Sequence, residues 1–83
     1  GDVYKRQALG QAREAAERAA RITRAQRREG QIDSLSQLDT ERTFADAEAA
    51  LALADAQIAR AQIDVFRALG GGWQQTGVAA PGG

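Results

Sequence analysis

The residues of this sequence with side chains suited to catalysis or metal binding are its aspartates and glutamates. Glu14 and Glu17 lie three residues apart, and Asp33 and Asp39 are close together in the chain. Paired carboxylates can act as general acid and base or hold a metal ion. The chain has no His and no Cys, which removes the commonest general base, the commonest metal ligand and all thiol chemistry. We therefore expect no catalytic, cofactor-binding or metal-binding residues, and no enzyme activity.

The amino-acid composition favours helices that pack along a seam. It does not favour a compact globular core. Nineteen of the 83 residues are Ala, against two Phe, one Tyr, one Trp and no Met. Alanine has the highest helix propensity but contributes little side chain to bury. The formal net charge is zero, and we do not expect nucleic acid as a partner. No apolar run approaches the length of about 18 residues that a membrane-spanning helix needs. The sequence is typical of an extended coiled coil.

Two helices joined by a tight turn are predicted, and the fold class is therefore all-α. A first helix over residues 8–30 ends at Gly30, which suits the left-handed position after a helix. Residues 31–34 form the hairpin tip, where either Asp33 or Ser34 could cap the next helix. A second helix spans residues 35–69. A connection this short makes the helices antiparallel, and the net charges of +3 over residues 8–30 and −4 over residues 31–69 suit that pairing.

The ends of the chain differ from the helices in composition. Residues 1–7 resemble a translated sequencing-adapter remnant, or alternatively continue the first helix with Tyr4 on its seam. Residues 70–83 form a Gly-rich tail that is expected to be disordered, and the three glycines at its start are expected to stop the helix.

The second helix carries two apolar seams in heptad spacing, which predicts a helix flanked on both sides. One seam is Phe44, Ala47, Leu51, Ala54, Ile58, Ala61, Val65 and Ala68, and the other is Ala45, Ala49, Ala52, Ala56, Ala59, Ile63 and Phe66. A polar stripe of Glu41, Glu48, Asp55 and Gln62 separates them, and a mixed face with Asp46, Gln57, Arg60, Asp64 and Arg67 lies opposite. On the first helix the expected stripe is Ala8, Ala12, Ala15, Ala19 and Ile22, broadened by Leu9, Ala16 and Ala20.

The first helix is too short to cover its neighbour. Pairing outward from Gly30, a helix that begins at Ala8 reaches only to about residue 57. Five large apolar residues lie beyond that limit: Ile58, Ile63, Val65, Phe66 and Leu69. Burying each would contribute roughly 1.5–3 kcal/mol. They are expected to meet a surface that this sequence does not contain, as in a fragment of a larger protein.

Two motifs at a helix-length separation resemble the last periplasmic hairpin of the outer-membrane efflux protein family, the TolC-like and OprM-like channels. Arg28 and Gly30 match an Arg-x-Gly at the tip, and Asp33, Leu35, Leu38, Asp39 and Arg42 match the start of the return helix. Residues 67–73, with Leu69, Gly70, Gly71, Gly72 and Trp73, match the family's C-terminal signature, and Phe66 holds its aromatic place. Arg27, where Tyr is usual, and Thr40-Glu41, where Ala-Gln is usual, depart from the pattern.

The resemblance implies a conduit without catalysis and without a cofactor. The parent would be a homotrimer whose β-barrel lies in the Gram-negative outer membrane and whose α-helical barrel crosses the periplasm to a periplasmic adaptor and an inner-membrane pump. It would give substrates passive passage from the periplasm to the exterior. The residues alone leave a second hypothesis open, a generic coiled-coil module that binds a helical partner.

Roles for single residues follow from the same resemblance, each beside a plainer alternative. Arg28, Gly30, Leu35 and Leu38 would contact the adaptor, although Gly30 also suits a left-handed backbone and the two leucines could pack at the helix start. Asp39 would form an acidic constriction at the channel mouth, or would only stabilise the first turn of its helix through the helix dipole. Either polar stripe of the second helix could face the lumen. Trp73 is expected to anchor against the parent protein.

Overall fold

The computed structural model describes residues 1–75, which fold as two long helices without a strand in that range. Helix α1 spans Asp2–Arg28 and helix α2 spans Ser34–Gln75. Residues 29–33 connect them, and ion pairs between residues far apart in sequence show that the helices lie side by side and antiparallel. The hairpin extends 65 × 28 × 15 Å. The all-α class and the two-helix hairpin predicted from sequence are confirmed at this level.

Helix α1 begins at Asp2, six residues before the predicted start at Ala8. The backbone N–H of Lys5 donates to the carbonyl of Gly1 at 3.0 Å, and no Gly or Pro interrupts residues 2–7. Asp2 in the first turn is favourable beside the positive end of the helix dipole. Tyr4 is 78% exposed and therefore does not lie on the seam. The origin of residues 1–7 as an adapter remnant stays a prediction.

The turn after α1 is a Schellman motif, in which Gly30 takes the left-handed position that the sequence predicts. Gly30 has φ 73°, the left-handed region that an L side chain rarely adopts. Its N–H donates to the carbonyl of Arg27 at 3.1 Å, and the N–H of Gln31 donates to the carbonyl of Gln26 at 2.8 Å. These are the two bonds that define the motif, and they satisfy carbonyls that the end of a helix leaves unpaired.

Replacing Gly30 by Ala is expected to destabilise the hairpin by about 1–2 kcal/mol, because a Cβ strains the left-handed backbone. No heavy atom lies within 4 Å of the added Cβ, so the cost comes from the backbone alone. Gly10→Ala is the matched control, since that Cβ meets Arg6 only at 3.6 Å. It should stabilise α1 by about 0.5–1 kcal/mol. Urea denaturation followed by circular dichroism at one protein concentration measures both, and equal effects of the two substitutions would contradict this account.

The structure decides which residue caps α2. The Asp33 carboxylate accepts a hydrogen bond from the backbone N–H of Ser36 at 2.8 Å, so Asp33 is the N-cap. Ser34 instead accepts from the Arg27 guanidinium at 2.9 Å. The capping bond from Ser36 holds the pKa of Asp33 below its ordinary value of 3.8. Asp33 therefore joins the end of the turn to the start of α2, and Ser34 joins α1 to α2.

The seam of α2 that packs on α1 is the one that contains Phe44. Phe44, Ala47, Leu51 and Ile58 are half-buried and Ala54 is buried. On α1 the facing residues are Leu9, Arg13, Ala16, Ala20 and Thr23, of which Ala16 and Ala20 are buried. Only Ala16, Ala20 and Ala54 are buried apolar residues in the described chain.

The five central residues of the stripe predicted for α1 are exposed, whereas the three that broaden it, Leu9, Ala16 and Ala20, lie at the interface. Ala8, Ala12, Ala15 and Ala19 lie outside the interface, and Ile22 is 58% exposed. Arginines on α1 reach across to acidic residues of α2, and this turns the side of α1 that carries Ala16 and Ala20 toward its neighbour. The apolar stems of arginine then contribute packing that a pattern of apolar residue types leaves out.

Helix α2 does not stop at Leu69 as predicted but continues through Gly70, Gly71 and Gly72 to Gln75. Glycine in a helix costs conformational entropy but does not forbid the helical backbone. The ring of Phe66 lies over Gly70, where an added Cβ would be 3.4 Å from Cδ2 of the ring. The first residues of the predicted tail are therefore helical. The rest of that tail, residues 76–83, lies outside the described residues.

Candidate interaction surfaces

A row of cross-helix polar contacts follows one side of the hairpin, and we call it the charged edge. Its members are Arg6, Arg13, Arg24 and Arg27 on α1 and Ser34, Glu41, Glu48 and Asp55 on α2. Arg6 Nε lies 2.8 Å from Asp55 Oδ1, and Arg13 Nε lies 3.7 Å from Glu48 Oε2. Exposed ion pairs of this kind contribute little stability each. Their regular succession instead defines the register of the two helices.

The charged edge changes the interpretation of the acidic stripe on α2. The sequence left open whether Glu41, Glu48 and Asp55 face water or a channel lumen. In the structure these carboxylates pair with arginines of the same chain, so they are not a free acidic surface. A signal for this pairing was present in the sequence, because Arg6 and Arg13 have the same seven-residue separation as Asp55 and Glu48. Our prediction from sequence missed it.

Arg24 and Glu41 form the best-defined pair of the charged edge. Nε and Nη2 of Arg24 donate to the two carboxylate oxygens of Glu41 at 2.5 and 2.7 Å, a bidentate geometry that only a guanidinium provides. The hydrogen bond from Arg24 lowers the pKa of Glu41 from its ordinary value of 4.5, and the same bond raises the pKa of Arg24. The pair stays ionised at neutral pH and joins α1 to α2 near the tip.

Two guanidinium groups of α1 lie close to the ring of Phe44. The Cζ atoms of Arg13 and Arg24 are 5.6 and 6.0 Å from the ring centroid, within the range of a cation–π contact. Phe44 is the largest residue that packs between the helices, and it is half-buried. It therefore ties the apolar seam to the charged edge, a link that was not predicted from sequence.

Acidification is expected to loosen the hairpin. Glu41 and Asp33 have pKa values lowered in the folded state, so each contributes stability above its unfolded value, and that stability is lost as pH falls through the folded value. Helicity measured at 222 nm should therefore fall below about pH 4.5, the ordinary pKa of Glu41. Glu41→Gln should give a smaller fall over the same range. An unchanged acid transition in that variant would contradict the role assigned to the Arg24–Glu41 pair.

The predicted tip residues lie at one end of the hairpin and are exposed. Arg28 and Gly30 close α1, and Leu35 and Leu38 occupy the first turns of α2 with exposures of 73% and 64%. The leucines therefore do not pack against α1, which contradicts the helix-start alternative within this hairpin. Two exposed leucines beside a basic helix end form a small amphipathic surface.

Asp39 lies on an exposed row of α2 and not on the charged edge. The first turn of α2 contains no acidic residue, so the explanation by the helix dipole is wrong, since that effect decays within one turn. The row has one residue every seven: Asp39, Asp46, Leu53, Arg60 and Arg67. All five are exposed, and we call them the outer row.

The second seam of α2 forms a long exposed apolar strip. Its residues are Ala45, Ala49, Ala52, Ala56, Ala59, Ile63 and Phe66, all exposed. The same spacing reaches back through Arg42 to Leu38 and Leu35, and forward to Gly70, which is buried. We call the whole set, from Leu35 to Gly70, the outer seam. It is roughly 50 Å long at 1.5 Å per residue.

An apolar groove of about 760 Å³ lies where α2 extends past the start of α1. Val3, Ile58, Val65 and Leu69 are among its lining residues. Val65 and Leu69 are 59% and 74% exposed, which confirms the expectation that α1 leaves this end of α2 uncovered. Ile58, which was also expected to lie beyond α1, is half-covered by the longer α1.

The signature residues Leu69 to Trp73 do not form a separate structure. They lie on the continuous helix α2, and the structure describes the side-chain environment of this stretch only through Gly70. Among the described residues no group of three or more His, Cys, Asp or Glu could hold a metal ion. Within the same range, neither helix has the combination of length and apolar character needed to cross a membrane.

The fold and these surfaces define an antiparallel helical hairpin with one seam closed and a second seam open. Searches with protein-family models, curated proteins and solved structures find no match to this chain.

Proposed function

We propose that this chain is the C-terminal helical hairpin of an outer-membrane channel in a tripartite efflux or export system. The observation that carries the proposal is the second, exposed seam of α2. A helix that packs on one neighbour needs one apolar seam, whereas a helix in the wall of a barrel needs two. The exposed apolar residues of the groove add surface that a neighbouring helix would cover.

The shallow core of the hairpin supports the same proposal. Within residues 1–70 its buried apolar residues are three alanines, which contribute little burial for two helices of 27 and 42 residues. In a trimeric α-helical barrel, neighbouring helices would supply the missing contacts. The parent protein would then act as a passive conduit without a cofactor, and this segment would lie in the periplasm.

The tip is proposed to contact the periplasmic adaptor. Arg28, Gly30, Leu35 and Leu38 are exposed at one end of the hairpin, and the left-handed Gly30 lets another chain approach the backbone closely. Asp39, one turn further along α2, is proposed to contribute to an acidic constriction, where three copies would favour cations. The inner-membrane pump would act through the adaptor.

A chimaera tests this proposal. Residues 8–73 replace the last hairpin of an outer-membrane efflux channel in cells that lack their own channel. We expect the chimaera to form trimers and to restore resistance to a toxic pump substrate. Ala49→Lys with Ala56→Lys in the outer seam should abolish both. A hairpin exchanged between two established channels is the control for the graft, and failure of our chimaera where that control assembles would contradict the proposal.

A generic coiled-coil module is the second candidate. The continuation of α2 through Gly70–Gly72 favours it, because these glycines are then not a helix stop as the resemblance implies. Such a module would bind a helical partner along the outer seam. It would fail in the chimaera but would still bind helical peptides in solution.

A further inference from the structure

The outer row of α2 has a charge order that is complementary to itself. Asp46 and Arg60 lie seven residues on either side of Leu53, and Asp39 and Arg67 lie fourteen. The row thus reads acid, acid, Leu, base, base. When a second copy of the row lies antiparallel to the first, every acid faces a base, and Leu53 faces Leu53 of the other copy.

We propose that the outer seam binds a second copy of this chain, with the two α2 helices antiparallel and a two-fold axis beside Leu53. The outer row directly follows the seam, because Asp46, Leu53 and Arg60 come one residue after Ala45, Ala52 and Ala59. Packing two outer seams together therefore brings the two outer rows alongside each other. Asp39 of each copy then faces Arg67 of the other, and Asp46 faces Arg60.

The seam pairs are centred on residue 54, one residue beyond the Leu53 centre of the outer row. Ala49 lies opposite Ala59 of the second copy and Ala52 opposite Ala56, so the centre consists of small side chains that let two helices approach to about 8 Å. Toward the ends, Ile63 lies opposite Ala45 and Leu38 opposite Gly70. In these two pairs a large residue meets a small one, whereas Arg42 lies opposite Phe66.

The charges of the outer row are available for this pairing. In the part of the chain that the structure describes, Asp39, Asp46, Arg60 and Arg67 make no ion pair, whereas the acids of the charged edge pair within the hairpin. A parallel pair of helices would bring the two acidic halves to one end and the two basic halves to the other. Charge order therefore selects the antiparallel arrangement.

The contact area sets the expected affinity. A seam of roughly 50 Å and a contact width of roughly 10 Å bury about 1,000 Å² over both copies, near the lower limit of specific interfaces. We therefore expect a Kd in the micromolar range. This inference concerns the chain in solution and does not depend on the proposed channel.

Charge reversal tests the pairing in the full chain. Sedimentation equilibrium of the wild type should show twice the 8.8 kDa of one chain at about 100 μM. D39R/D46R makes the row entirely basic, and R60D/R67D makes it entirely acidic. Each variant alone should dimerise at least about tenfold more weakly, and an equimolar mixture should recover dimers. The fourfold variant D39R/D46R/R60D/R67D keeps the self-complementary order and should dimerise like the wild type.

Spin labels test the orientation, because the chain has no native cysteine. Labels on L53C should lie within about 20 Å of each other across the dimer, whereas labels on D39C should be about 42 Å apart, the length of 28 helical residues. Circular dichroism checks that each variant keeps its helices. A monomeric wild type, an unaltered Kd in the reversed variants, or equally short distances at both labels would overturn the proposal.

Discussion

Replacing Ala20 by leucine is expected to separate the two helices and to destabilise the hairpin by about 2–3 kcal/mol. Ala20 has no exposed surface and lies in the interface between α1 and α2. Three added carbons cannot fit there unless the helices move apart. Because the buried core consists only of Ala16, Ala20 and Ala54 among the described residues, no other buried contact offsets that movement.

Ala19→Leu is the matched control for this substitution. Ala19 is the preceding residue of the same helix and is exposed, and leucine has nearly the helix propensity of alanine. It should change the free energy of unfolding by less than about 0.5 kcal/mol. Urea denaturation followed at 222 nm compares the two variants at one protein concentration. If Ala19→Leu were the more damaging change, α1 would present Ala19 to α2, and the packing of Ala20 against α2 would be wrong.

Replacing Phe44 by alanine is expected to cost about 2 kcal/mol. A fully buried Phe costs about 3–5 kcal/mol on truncation, and Phe44 is half-buried. The ring also orients Arg13 and Arg24, whose guanidinium groups lie on it. Its loss should therefore disorder the Arg24–Glu41 pair as well as leave a gap in the seam.

Two measurements separate those consequences. Ile22→Ala removes an apolar side chain that is 58% exposed, and it should cost much less than Phe44→Ala in the same urea experiment. Phe44→Leu should keep most of the packing but lose the aromatic face that attracts the two arginines. An acid transition for Phe44→Leu identical to that of the wild type would show that the ring does not support the Arg24–Glu41 pair.

Local features of the fold could be predicted because they depend on a few neighbouring residues. Gly30 ends α1 in the left-handed conformation, since only glycine adopts it without strain. The short polar run after it makes a tight turn and an antiparallel hairpin. The sequence also narrowed the cap of α2 to two residues, but it could not decide between Asp33, which is the cap, and Ser34. That choice depended on Arg27, which bonds the Ser34 hydroxyl across the turn.

The helix ends were harder to predict than the helices. Gly70 to Gly72 suggest a stop, yet the helical backbone continues to Gln75. A glycine allows a helix to end without requiring it, so the outcome depends on contacts such as the Phe66 ring over Gly70. At the N-terminus, the unusual composition of residues 1–7 gave no information on their conformation. Helix α1 includes these residues from Asp2 onward.

By itself, the sequence determined two amphipathic helices, their antiparallel order and the presence of more apolar surface on α2 than one partner covers. Helix propensity, glycine geometry and heptad spacing are local properties, and they are readable along the chain. Only the tertiary structure decided which side of α1 meets α2, because that depends on where Arg6, Arg13 and Arg24 find their acidic partners. The same pairing closed the seam of Phe44 and left the outer seam open.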